Sequence, residues 1–176
     1  MYYASIGVLS LIIHVIINFE ALKKRNSHRV KLSQVRYRHF LYAVMLFYIS
    51  DILWGWFYEQ HWIVPTYIDT MLFFISMGAS VLIWTRFVVA FIDNQGRFGV
   101  LLKAGGWMIF TFQLVTLIIN FFTPIVFRFM ENNEYKTGPV RNISLVLQMI
   151  LFIIASIYTL SVSARVKERR GRITGP

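Results

Sequence analysis

An aspartate within an apolar run is the residue of this chain best placed to do chemistry. Asp51 stands among large aromatics in Phe47-Tyr48-Ile49-Ser50-Asp51-Ile52-Leu53-Trp54-Gly55-Trp56-Phe57-Tyr58. A carboxylate at bilayer depth is costly, and such groups usually face a partner, a cavity or a ligand. On a helix, residues three and four apart share a face, so Phe47, Tyr48, Trp54, Gly55 and Tyr58 fall beside it. Tyr48 and Trp54 can donate hydrogen bonds to the carboxylate, and Gly55 opens space next to it. The chemistry this describes is a small binding pocket with a charged anchor. A carboxylate satisfied by a neighbouring helix fits the same pattern.

Other polar residues within apolar runs are candidate partners. Gly7, Ser10, His14 and Asn18 recur at helical spacing and form one polar stripe. His14 falls near the midplane of its run, as Asp51 does of its own, so a His14–Asp51 hydrogen bond is expected as one arrangement. A His14 bonded to a backbone carbonyl is the other. Arg86 is expected either to snorkel to the headgroups or to pair with Asp51. Asp69 sits at the outer mouth of the same run. The candidate cluster is thus Asp51, His14, Trp54, Tyr48, Tyr58, Arg86, Asn18 and Asp69. Gly106, Gln113, Thr116 and Asn120 share a face further along, as do Ser144 and Gln148; such stripes usually join helices by hydrogen bonds.

Catalytic motifs are missing. The sequence has no H-E-x-x-H, G-x-S-x-G or P-loop, and no paired carboxylates. The four histidines lack metal-ligand spacing, and there is no cysteine for a thiolate site or disulfide. No enzymatic turnover, metal or cofactor is expected.

The elements that must hold these residues are apolar helices. The chain is 57% hydrophobic and 15% charged, with a mean hydropathy of +0.58, and its apolar residues fall in long runs. These predict an all-α membrane bundle of five spans, roughly 3–19, 40–57, 68–92, 100–122 and 143–164. The net charge of +10 is distributed as the positive-inside rule requires, not as a nucleic-acid patch. Lys23, Lys24, Arg25, Arg29, Lys31, Arg36 and Arg38 fall between the first two runs. Arg165, Lys167, Arg169, Arg170 and Arg172 follow the last. This places the N-terminus outside and the C-terminus in the cytoplasm of a plasma-membrane, multi-pass protein. Residues 1–164 form the membrane domain, and 165–176 form a basic tail or linker.

The basic link 20–39 is expected to fix topology, with attraction to anionic headgroups as a sharper reading. The external link 123–141 is expected to be a connecting loop, with Pro139 starting the last helix cleanly.

Three stretches carry a resemblance. They are Tyr2-Tyr3-Ala4-Ser5-Ile6-Gly7 running into His14 and Asn18, Ser50-Asp51-Ile52-Leu53-Trp54-Gly55, and Asn133-Glu134-Tyr135-Lys136-Thr137-Gly138-Pro139-Val140-Arg141. Together they resemble the N-terminal multi-helix membrane region of clostridial-type GGDEF proteins, membrane-anchored diguanylate cyclases that make cyclic di-GMP. In that family further spans and the cyclase domain follow. This sequence contains no GGDEF motif, so the resemblance implies a signal-input module and not cyclase activity. The partners this implies are the lipid bilayer, a small-molecule ligand and a second copy of the chain. A small-solute transporter or channel, and a structural membrane subunit, are the alternative functions.

Overall fold

The computed structural model describes residues 2–23, 31–92, 96–130 and 134–173. In chain order it has α1 (Tyr2–Ile17), α2 (Phe19–Leu22), α3 (Leu32–Glu59), α4 (Ile63–Ile92), α5 (Arg97–Asn120), β1 (Phe127–Phe129), β2 (Tyr135–Thr137) and α6 (Pro139–Ile173). The fold is mostly helical. Beside the helices, the described residues form a short antiparallel hairpin, which pairs Phe127 with Thr137 and Phe129 with Tyr135.

Among the described residues, four helices are long and apolar enough to cross a membrane: α3, α4, α5 and α6 up to Ala164. The expected fifth, α1, has 16 residues. It measures about 24 Å at ~1.5 Å per residue, less than the ~30 Å of a hydrocarbon core. Asn18 ends it. Its side-chain amide donates to the His14 carbonyl at 2.9 Å, a local bond that competes with helix continuation.

The α3–α4 turn is a Schellman motif. The Trp62 N–H reaches the Phe57 carbonyl at 3.1 Å, and the His61 N–H reaches Tyr58 at 3.1 Å. Trp62 stacks on Phe57 at 6.1 Å, which is the apolar contact such motifs carry. His61 takes the left-handed position, at φ 57°.

α4 is the central helix and packs against α3, α5 and α6, while α1 lies along α3. Small residues permit this: Gly78 is buried, and a Cβ there would meet Phe110 at 3.3 Å. One core cluster joins Val81, Val88, Leu102, Ile109, Leu151 and Ala155. A second joins Phe74 and Leu117 to Val126 and Phe127 of the hairpin. The outside is apolar as well: Ile6, Ile16, Leu101, Met108 and Leu160 are all more than two-thirds exposed. Such a surface suits lipid, not water.

In the link 123–141 the described residues, 123–130 and 134–141, do not form a loose loop. Asn120, at the end of α5, accepts from the N–H groups of Val126 (2.8 Å) and Phe127 (3.2 Å). Its amide donates to the Phe127 carbonyl at 3.0 Å. Phe127 is fully buried and lies 5.0 Å from the Tyr67 ring and 5.9 Å from Phe74. The hairpin therefore folds back onto the bundle. Gly138 joins it to α6, with its N–H bonded to the Val126 carbonyl at 2.7 Å.

Candidate functional site

Beneath the hairpin lies a cavity of about 100 Å³, lined by Asp51, Trp54, Thr70, Phe73, Phe74, Tyr135 and Arg141. Three parts of the chain build it. α3 supplies Asp51 and Trp54 one turn apart, α4 supplies Thr70, Phe73 and Phe74, and β2 with the start of α6 supplies Tyr135 and Arg141. Helix α6 begins at Pro139, as expected, and Arg141 follows in its first turn.

The aromatic wall is ordered by specific contacts. The Trp54 indole N–H donates to the Thr70 hydroxyl at 3.0 Å, and that hydroxyl donates to the Thr66 carbonyl at 2.6 Å. Tyr58 stacks on Trp54 at 4.9 Å with ring planes 10° apart. Tyr135 meets Trp54 edge-on at 5.8 Å. The hairpin thus closes onto the bundle at the cavity through aromatic contacts, Tyr135 on Trp54 and Phe127 on Phe74.

Asp51 is half-buried. It lies about 12 Å from the hairpin end of α3 at ~1.5 Å per residue, not at mid-helix. A span of 40–57 puts it near the centre, but α3 begins eight residues earlier, at Leu32. Its carboxylate also faces α1: a Cβ on Gly7 would lie 3.2 Å from Asp51 Oδ2 and 2.9 Å from Ile52. Asp69, expected at the outer mouth, is instead 4% exposed within the α3–α4 seam. The Ser50 hydroxyl is shared between its Oδ1 (3.0 Å) and its carbonyl (3.1 Å). Asp69 Oδ2 and Arg141 Nε are buried without a hydrogen-bond partner among the described residues. Asp51, next to Ser50, stands near enough to Asp69 for two charges to repel.

The remaining candidates lie elsewhere. His14 Nε2 is 3.3 Å from the Leu41 carbonyl, and its ring meets Tyr48 edge-on at 5.8 Å. Leu41 is ten residues from Asp51, about 15 Å along α3, so the expected His14–Asp51 bond is replaced by the carbonyl alternative. The antiparallel register explains this: Gly7, not His14, is level with Asp51. Asn18 accepts from the Tyr37 hydroxyl at 2.8 Å and so ties α1 to α3. Arg86 is exposed at the opposite end, where its carbonyl accepts from Arg36 at 2.9 Å. It is about 25 Å along α4 from the cavity, so an Arg86–Asp51 pair is excluded.

Sequence reasoning missed Ser50, Thr70, Tyr135 and Arg141. Tyr135 and Arg141 were visible only as members of the third resembling stretch. The expected interhelical polar contacts do occur: Ser144 donates to the Gln113 side-chain carbonyl, and Gln148 donates to it at 3.2 Å. Among the described residues no three His, Cys, Asp or Glu side chains converge to hold a metal. The cavity offers one carboxylate, one guanidinium, the hydroxyls of Thr70 and Tyr135, and aromatic faces. At about 100 Å³ the space is below the roughly 300–1,000 Å³ of drug-sized pockets, so such a set suits a polar molecule of only a few heavy atoms. No family model, curated protein or solved structure matches the chain.

Proposed function

We propose that the chain is the membrane-embedded input module of a signalling protein, and that it senses a small molecule held beneath the hairpin. The observation that carries this reading is the cavity itself, where Asp51 and Arg141 line one space walled by Trp54 and Tyr135. A ligand carrying both an ammonium and a carboxylate group answers that pair of charges. The ring faces add cation–π attraction for the ammonium. Two of the three stretches that resemble GGDEF-protein membrane regions line this cavity, through Asp51 and Trp54 and through Tyr135 and Arg141, and Gly7 of the other lies against Asp51.

The proposed orientation puts the hairpin end outside and the α6 tail in the cytoplasm, in keeping with the basic residues at the other end. Helix α1 is the fifth crossing segment in this reading, its short length met by local thinning of the bilayer. Helix α6 continues to Ile173, so a shift of its first turn at Arg141 can travel along one rigid element to the basic tail. The proposed action is binding and transmission, without turnover.

Free amino acids test this. The full chain in detergent is titrated with them while tryptophan fluorescence is followed, since Trp54 lines the cavity. A saturable change that is lost in Trp54→Phe and weakened at least about tenfold in Asp51→Asn and Arg141→Gln supports the reading. No saturable response from any amino acid, or responses untouched by both charge variants, would overturn it. A transporter is the second reading. It is favoured by the buried Gln113 Nε2 and Gln148 Oε1, which lack partners among the described residues inside the bundle. Amino-acid flux into liposomes carrying the chain would select it.

A further inference from the structure

A second cavity lies at the opposite end of the bundle, about 790 Å³ in volume. That is within the range of small-molecule and headgroup sites, roughly 300–1,000 Å³. Its polar rim comes from the start of α3, with Lys31, Gln34 and Arg36, and from α5, with Lys103. Its apolar wall includes Phe87 and Phe91 of α4. No carboxylate lines it among the described residues.

Lys31, Arg36 and Lys103 line one hollow from two helices, so an anion placed there meets cations from both. Arg36 is already oriented, because one guanidinium N–H is fixed on the Arg86 carbonyl at 2.9 Å. Its remaining N–H groups form a fork suited to phosphate oxygens. Lys31 and Lys103 add point charges from two sides. The first turn of α3, with no side-chain cap at Lys31, adds the positive end of a helix. Phe91 continues the wall outward, at 55% exposed, where an acyl chain would leave a headgroup.

We propose that this cavity binds a phosphate-bearing group through Lys31, Arg36 and Lys103, and that the group is the headgroup of an anionic lipid. The site is independent of the sensing cavity and stands or falls without it.

The test uses the purified full chain in mixed micelles of phosphatidylglycerol and phosphatidylcholine. Native mass spectrometry reads the lipids retained. The wild type should keep phosphatidylglycerol preferentially. Lys103→Gln should weaken that preference about fivefold, the share of one cation near a headgroup, and Lys103→Arg should restore it. Arg97→Gln removes an exposed charge at the same end but outside the cavity, and should leave the preference unchanged. If Lys103→Gln does not fold, Lys31→Gln, at the exposed start of α3, reads the same loss. Inorganic phosphate is the second arm. If it displaces phosphatidylglycerol and stabilises lipid-free protein, the site takes a soluble phosphate and the lipid assignment is overturned. Equal retention of the two lipids without any phosphate effect overturns the site. So does a loss in Arg97→Gln as large as in Lys103→Gln, since that marks diffuse attraction.

Discussion

Ser50 gives its one hydroxyl proton to the main chain and side chain of Asp69 across the α3–α4 seam. Both residues are buried, so Ser50→Ala leaves a carboxylate oxygen without its donor. The expected loss is about 1–3 kcal/mol of stability, measured as a lower melting point in detergent. Asp69→Leu in the Ser50→Ala background should recover part of it, since replacing both partners is milder than orphaning one. Ser50 was not legible in the sequence, because a hydroxyl costs little in an apolar run and leaves no mark in hydropathy. Asp51 was legible for the opposite reason, and it does line a cavity. Its supposed partners His14 and Arg86 were not, because spacing along a helix says nothing of how far neighbouring helices are slid past each other. Their true positions follow from contacts such as Tyr37 with Asn18 and Arg36 with Arg86.

The four long helices were legible as elements because each carries a long, predominantly apolar run, and α6 begins where Pro139 requires. The hairpin was not, because its strands have three residues each and its register is set by Asn120 on another element. Gly138 is the joint. A Cβ there would run into the backbone carbonyl group of Ile125 and meet the Val126 nitrogen at 2.9 Å. Backbone cannot give way as a side chain can, so Gly138→Ala should displace the hairpin and cost at least about 2 kcal/mol. Amide hydrogen exchange of 126–130 and 134–137 should rise. Unchanged protection there would mean that the hairpin is not held by this junction. The α3–α4 turn offers the reverse case. His61 holds a left-handed conformation that glycine adopts without strain, so His61→Gly should raise stability by roughly 0.5–1 kcal/mol. A lower melting point would show that the imidazole ring contributes more than the backbone strain costs.

At the scale of the whole molecule, the two cavities lie at the two ends of the bundle, with the buried Gln113, Ser144 and Gln148 between its helices. One end holds a small cavity under a packed hairpin, and the other holds a wider hollow rimmed by cations. The basic end was legible from the distribution of charge. The cavity was only half so, because Tyr135 and Arg141 reach Asp51 through the fold-back of the hairpin and not through proximity in sequence. The central claim is that this cavity opens to the outside of the cell. The chain has no cysteine, so one introduced thiol is a unique reporter. Phe73→Cys places it in the cavity wall, and Met108→Cys places one on the lipid-facing surface, where the native side chain is 69% exposed. Sealed cells are treated with a small, charged, membrane-impermeant thiol reagent. Labelling of Phe73→Cys but not Met108→Cys is the predicted result. A Phe73→Cys protein labelled only after the cells are opened would contradict the account.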